Sequence, residues 1–190
     1  MKIVVAITGA SGAIYARELL HFLKSTPHQV EIVASDNAKT IWADELGGNF
    51  EDDGFRVFSK KDFRAPFASG SAKYDQMVII PCSMGTLGRI AHGISDDLIT
   101  RSADVFLKEK RKLILVPRDT PFNLIHVENM KLLMLAGASI IPAIPSFYSK
   151  PKTIEEVVNT VISRVLDQMG IENSLMKRYE GKLNVPEKNS

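Results

Sequence analysis

The chain has 190 residues, 45% of them apolar and 24% charged, and its basic residues outnumber its acidic ones by two. That length suits one domain able to hide roughly 70% of its unfolded surface, and the composition excludes disordered, collagen-like and coiled-coil chains. A charge so close to balance leaves no general footprint for nucleic acid, and the lone Cys82 excludes a disulfide within the chain and gives no metal-ligand spacing.

The first apolar run, residues 3–7, is β-branched, short and closed by Thr8-Gly9, so it reads as a buried strand and falls short of a signal peptide. A turn over 8–12 leads into a helix over 13–24. A second strand over 30–34 is followed by Ser35 or Asp36 as the cap of a helix reaching Leu46. Residues 47–71 lack clear periodicity and read as a long, partly ordered loop with one short strand near 55–58. Beyond it come a strand over 76–81, helices over 84–92 and 98–110, a strand over 112–116, a helix over 123–135 and a short strand over 139–142. Residues 153–169 form a long amphipathic helix with Ile154, Val158, Val161, Val165 and Met169 on one face, and 171–190 read as a loosely held polar tail. Residues 132–145 are the most apolar stretch, but Gly137, Ser139 and Pro142 interrupt them well short of the ~20 residues of a membrane helix. The expectation is a cytoplasmic protein with no membrane or nucleic-acid partner. None of His21, His28, His92 and His126 forms an i, i+4 or His-x-His pair, so no metal is expected.

Apolar strands alternating with helices predict an α/β domain over residues 1–170, a three-layer Rossmann-like (flavodoxin-like) fold with a parallel sheet covered on both faces. In such sheets ligands sit at the carboxyl ends of the strands, which directs attention to the residues just after each one. Thr8-Gly9-Ala10-Ser11-Gly12 can bring backbone close to an anion at a helix N-terminus, or serve only as a tight turn. It is not a dinucleotide fingerprint, because Ser11 stands where the second glycine belongs. Pro81-Cys82-Ser83-Met84-Gly85-Thr86 offers two hydroxyls and an anion nest, and Cys82 there reads better as a small buried hydrophobe than as a nucleophile. Arg101 and Lys108 share a helix face, which taken alone reads as a solvated charged surface. Arg118-Asp119 ends a strand directly and suits a phosphate with a proton donor beside it, or a local ion pair. Arg164 falls at the edge of the apolar stripe of its helix, where it either snorkels or enters a pocket, and Phe147 and Tyr148 suit core and substrate wall equally.

Taken in order, Thr8-Gly9-Ala10-Ser11-Gly12-Ala13, Ala68-Ser69-Gly70-Ser71, Pro81-Cys82-Ser83, Leu98-Ile99-Thr100-Arg101, Ala103-Asp104-Val105, Leu107-Lys108-Glu109, Val116-Pro117-Arg118, His126-x-Glu128-Asn129-Met130 and Phe147-Tyr148 closely resemble the flavin prenyltransferases of the UbiX type. The resemblance spans about residues 1–170. It implies a metal-independent transfer of a dimethylallyl group from dimethylallyl monophosphate to N5 and C6 of reduced FMN. The prenylated FMN then passes to a UbiD-type decarboxylase. It implies a dodecamer with sites at subunit interfaces. By matching position it puts FMN contacts on Gly9, Ala10, Ser11, Ser35, Ser83, Met84, Gly85, Thr86 and Arg118, and prenyl-phosphate contacts on Lys108, Tyr148 and Arg164 with Arg101 nearby. Ser11, Glu45 and Asp119 take the catalytic positions. Asp119 stands where the family commonly has Glu, Phe63 where some members have Trp, and Met84 varies the phosphate-loop segment. The neighbouring flavin-containing cysteine decarboxylases share the fold, but their Pro-Ala-Ser-Ala-Asn-Thr segment reads Pro-Cys-Ser-Met-Gly-Thr here. A non-enzymatic flavin carrier would explain the phosphate loops and leave the second cation cluster without a purpose.

Overall fold

The computed structural model describes residues 1–50 and 54–179. Residues 2–7 of the first apolar run form β1 (Lys2–Ile7), and their alternation decides the layering. Ile3, Val5 and Ile7 enter one apolar cluster, while Val4 and Ala6 enter a second on the opposite face, the period-two consequence of a strand buried on both sides. The described residues form a six-stranded sheet in the order β3-β2-β1-β4-β5-β6, every pairing parallel. Its other strands are β2 (Gln29–Ala34), β3 (Arg56–Ser59), β4 (Gln76–Cys82), β5 (Lys112–Pro117) and β6 (Ser139–Ile140). Helices α1 (Ala13–Lys24), α2 (Asp36–Leu46) and α6 (Ile154–Met169) cover the first face, and α3 (Met84–Ala91), α4 (Leu98–Lys108) and α5 (Leu124–Leu135) cover the second. This is the expected α/β fold, and without the edge strand β3 its strand order is that of the flavodoxins. The direction of winding reverses between β1 and β4, so a crevice opens where those two strands end.

The differences from the sequence reading have local causes. The helix expected over 98–110 stops at Lys108, because Lys110 takes a left-handed backbone (φ 53°). The strand expected over 139–142 keeps only its first two residues, since Pro142 has no N–H to give a ladder. The chain nonetheless stays beside β5, with Ile141 N–H donating to Leu115 O and Ala143 N–H to Pro117 O, each at 2.9 Å. Ile154 leaves the apolar stripe of α6 and is exposed. The long loop is better anchored than expected. Phe50, Phe58, Ala65 and Phe67 are buried, and Phe58, Phe67 and Tyr74 stack edge to face at 5.1 and 5.6 Å between centroids. The tail is also held over its first residues: Ile171 joins the core and Met176 is buried, while residues 180–190 lie outside the described residues.

Tyr74 also has a polar task. Its hydroxyl donates to Glu31, a β2 carboxylate only 4% exposed whose other oxygen is 3.8 Å from Arg56. Burial, then this bond, push the Tyr74 phenol well above its usual range, so it stays protonated and donating. Replacing Tyr74 with Phe leaves one oxygen of a buried carboxylate without its hydrogen bond, at a cost of about 1–3 kcal/mol. In a domain of this size that lowers the melting temperature by roughly 2–4 °C per kcal/mol. The check is a thermal melt of Tyr74→Phe; an unchanged midpoint would mean that Glu31 finds other solvation.

Candidate active site

The crevice is drawn together by Thr8, the buried last residue before the β1 loop. Its hydroxyl donates to Pro81 O (2.8 Å) and accepts from Ser83 N–H (2.8 Å), joining the chain after β1 to the chain after β4. Sequence reading placed Thr8 in a turn and gave it no role; its signal is a polar residue ending an otherwise apolar strand. Next to it Gly9 is required by proximity, since a Cβ there would lie 2.6 Å from Asn37 Cβ. Gly12 takes φ 105° and faces the Arg118 side chain, whose Cγ would lie 3.6 Å from an added Cβ.

The two serines after β2 and β4 are helix caps. Ser35 Oγ accepts from Ala38 N–H (3.1 Å) at the start of α2. Ser83 Oγ accepts from Thr86 N–H (3.3 Å) and donates to Thr86 Oγ1 (3.0 Å) at the start of α3. Arg89 reaches the same Thr86 hydroxyl at 3.4 Å while binding Asp96 and Asp97, so the α3 loop is braced from α4. A Cβ on Gly85 would meet nothing within 4 Å, which leaves the first turn of α3 open to a ligand. The first turn of α1 is different. Its amides at Gly12 (2.9 Å) and Ala13 (2.8 Å) donate to Glu45 from the last turn of α2. Burial acts to raise the Glu45 carboxyl, but the Ser11 hydroxyl, these two amides and the Arg118 charge outweigh it and hold it below its usual value. An internal carboxylate therefore occupies the anion-favouring N-terminus that the glycine loop was expected to offer.

Arg118 follows β5 and leans towards Gly12, Tyr15 and Glu45. Its Nε is buried with no hydrogen-bond partner among the described residues. A buried guanidinium donor left unpaired is costly, so this atom fits the acceptor of a bound anionic group. Tyr15, half-buried beside it, has a phenol raised first by burial and partly countered by Arg118; sequence reading passed over it. Asp119 is exposed, and its Oδ1 accepts from Thr120 N–H at 2.8 Å.

Tyr148 and Arg164 come together. With Ile141, Pro142, Ile144 and Ser146 they line a groove of about 330 Å³ beside the end of β5. Arg101 and Lys108 do not join them within one chain. Helix α4 runs antiparallel to the sheet: Leu98 N–H donates to Lys60 O just past the end of β3, while Lys108 stands near the start of β5. Eleven residues separate the two ends by roughly 16 Å. Lys108 pairs with Glu109 against Gly70, and Arg101 Nε donates to Ala68 O (3.2 Å). Phe63 is exposed. Among the described residues no group of three His, Cys, Asp or Glu could hold a metal ion, and no helix is long and apolar enough to cross a membrane.

A doubly wound parallel sheet with capped helix N-termini and an unpaired arginine around its switch point is the frame of a flavoprotein, and residues 1–166 match the Flavoprotein family model. The chain is 49% identical over 182 residues to the flavin prenyltransferase UbiX of Methanocaldococcus jannaschii, covering 94% of this chain and 98% of that one. It superposes with TM-score 0.92 on a dodecameric FMN-dependent UbiX-like decarboxylase of Escherichia coli O157:H7, 41% identical, covering 95% of this chain and all of that one. It superposes equally well on AnUbiX (PadA1) in complex with FMN and dimethylallyl pyrophosphate, at 38% identity over 96% of this chain and 98% of that one. The chain belongs to the UbiX family of flavin prenyltransferases, and it is a prenyltransferase enzyme.

Cys82 is the one motif residue whose chemistry the structure decides. Burial drives its thiol up to about 12, with Arg89 countering only in part. At pH 8 it is protonated and sealed, so iodoacetamide should label it only after unfolding. Cys82→Ala should retain prenyl transfer. Rapid labelling of the folded protein, followed by mass spectrometry of the peptide, would contradict this.

Proposed function

We propose that this enzyme transfers a dimethylallyl group from dimethylallyl monophosphate to reduced FMN, without a metal, for use by a UbiD-type decarboxylase. The observation that carries the reading is the buried, partnerless Nε of Arg118, which follows β5 and leans towards the switch point, with the Tyr148–Arg164 groove beside the same strand end. One cationic feature serves the flavin and the other a small phosphate ester. Gly9, Ala10, Ser11, Ser35, Ser83, Met84, Gly85, Thr86 and Arg118 hold the flavin; the open face at Gly85 and the unpaired Nε fit such a group. When bound, reduced FMN would supply nucleophilic N5 and C6 and a π surface for the allylic unit: the bond to N5 would replace the C–O bond to the departing phosphate, the bond to C6 would use the allylic double bond once that bond takes up a proton, and the N5 and C6 protons would be given up.

The protein groups act on charge and protons. Tyr148 donates a hydrogen bond to the phosphate, and Arg164 stabilises the charge that grows on it as the ester bond breaks. Arg101 and Lys108 reach this site from a neighbouring copy. Glu45, held ionised, accepts a proton relayed through the Ser11 hydroxyl that donates to it. Asp119, with one oxygen tied to Thr120 N–H, shares a proton with the leaving phosphate through the other.

The direct test is the mass of the flavin after anaerobic incubation of FMN, reductant and dimethylallyl monophosphate with the protein. A gain of one five-carbon unit is expected, unaffected by EDTA; unaltered flavin overturns the reading. Arg164→Ala should keep FMN and lose about ten- to a hundredfold in turnover, the value of a charge-assisted hydrogen bond. Asp119→Asn should slow single-turnover transfer by ~10²–10⁴ with FMN still bound, and Asp119→Glu should be tolerated.

Assembly follows from α5, whose apolar residues are spread around the helix between His126, Glu128, Asn129 and Lys131. Met130 and Leu133 face the sheet, yet Leu124, Ile125, Val127, Leu132, Met134 and Leu135 are exposed, the last at 78%. We propose that copies of the chain cover this helix, in a dodecamer like that of the Escherichia coli relative. Light scattering should show a multimer, and Leu132→Lys with Leu135→Lys should break it and abolish transfer. A fully active monomer would sink the assembly.

A further inference from the structure

The segment just after α6 is organised around Asp167, which no step above uses. Asp167 Oδ2 accepts from Arg164 Nη1 (3.1 Å) and from Arg178 Nη1 (2.6 Å), and its Oδ1 accepts from Arg178 Nη2 (2.7 Å) and from Asn173 Nδ2 (3.2 Å). Arg178 thus grips the carboxylate with both arms, while Arg164 has a single longer bond to the same oxygen. The bond from Arg178 is the main reason the Asp167 carboxyl sits below its usual value, with burial opposing it.

The same segment is fixed to α6 and reaches Tyr148. Ser163, fully buried, donates to Asn173 Oδ1 (2.8 Å), and Ile171 enters the core. Met176 Sδ lies 3.9 Å from the Tyr148 hydroxyl, and the Tyr179 ring stands edge-on to Tyr148 at 6.1 Å. Tyr148 and Arg164 are therefore both buttressed from one stretch of chain.

One carboxylate shared by two guanidinium groups leaves a net positive charge and an incompletely satisfied Arg164. Arg164 has five N–H donors, and it lines the groove with Tyr148. We propose that Asp167 and Arg178 are positioning residues for the prenyl-phosphate end of the site. Asp167 parks Arg164 beside Tyr148, and Arg178 saturates Asp167 so that Arg164 is released to the incoming phosphate. Without Arg178, the carboxylate would have only Arg164 as a charged partner and would compete with the phosphate for it. An Arg-to-Lys change keeps the charge but loses the two-armed grip. This proposal rests on the reading of Tyr148 and Arg164 as donor-binding residues.

The test uses the assembled, FMN-loaded protein and variants Arg178→Ala, Arg178→Lys and Asp167→Asn. Arg178 is exposed, so its truncation leaves the core intact. Calorimetric titration with dimethylallyl monophosphate on the oxidised-flavin form measures donor binding without turnover, and steady-state assays separate KM from kcat. Arg178→Ala should weaken donor binding and raise its KM roughly five- to twentyfold, with FMN affinity and kcat within about twofold of wild type. Arg178→Lys should recover part of the loss. Adding Asp167→Asn to Arg178→Ala should cost less than the sum of the two single effects, because both act through one ion pair. Donor affinity unchanged in Arg178→Ala, or FMN affinity falling in parallel with it, overturns the proposal. A wild-type protein that binds the donor yet transfers nothing would instead overturn the functional reading.

Discussion

The hydroxyl of Thr8 is the constraint on which the rest of the site depends. At the point where the winding of the sheet reverses, the loops after β1 and β4 diverge to opposite faces, with a long backbone bond, Thr8 N–H to Pro81 O at 3.3 Å, between their bases. Thr8 closes that gap by giving its proton to Pro81 O and taking the one from Ser83 N–H. The first bond is buried and the second half-buried, and an unmade buried partner costs about 1–3 kcal/mol, so the geometry is strongly preferred. With that width set, Ser83 caps α3, Gly9 can lie against Asn37, and the Arg118 side chain passes under Gly12. Thr8 thus sets the crevice from outside the residues assigned to the chemistry.

The electrostatics around it repeat a single device. A helix N-terminus or a guanidinium prepared for an external anion is costly to leave bare, and the protein meets that cost with carboxylates of its own. Glu45 sits on the amides of Gly12 and Ala13, and Asp167 sits on Arg164. In each case a second group keeps the carboxylate ionised: Ser11 foremost among the hydrogen bonds to Glu45, Arg178 for Asp167. A carboxylate that stays charged is a stable placeholder for an external anion. Arg118 is the exception, since its buried Nε has no such substitute.

Much of this was legible in the sequence, and the remainder was hidden for identifiable reasons. Strands buried on both faces read as short β-branched runs, and helices as apolar residues three and four apart, so the layered fold and the loops after β1, β4 and β5 were accessible. Phe50 and Phe67 follow neither period, because they anchor irregular chain on either side of β3, and outside the short strand expected near 55–58 the segment reads as loop. The stretch after Gly170 looked polar because its holding interactions are polar: Asn173 on Ser163 and Arg178 on Asp167. The Glu45 carboxylate on the first turn of α1 joins residues 32 positions apart, which no local pattern records. The spread of apolar residues around α5 was visible in its letters, but only the fold shows which side the sheet covers.

The separation of the cations has a topological origin. In a parallel sheet every strand points one way and every crossover helix points back, so the ends of the strands and the C-termini of the helices lie at opposite edges. Arg118, at the end of β5, and Lys108, at the C-terminus of α4, are thus held apart by the same geometry that builds the crevice. No side-chain rearrangement spans an eleven-residue helix of roughly 16 Å. If Lys108 serves the prenyl phosphate, it does so from another copy, whose α4 terminus is brought to this rim by packing between subunits. The exposed apolar length of α5 gives a reason for such packing that is independent of catalysis, because six large side chains left in water on one helix favour burial by a partner. On the assembly proposed above, the exposed face of α5 and the lysine that a single chain cannot deliver are two consequences of one arrangement, in which the catalytic unit is larger than the folding unit.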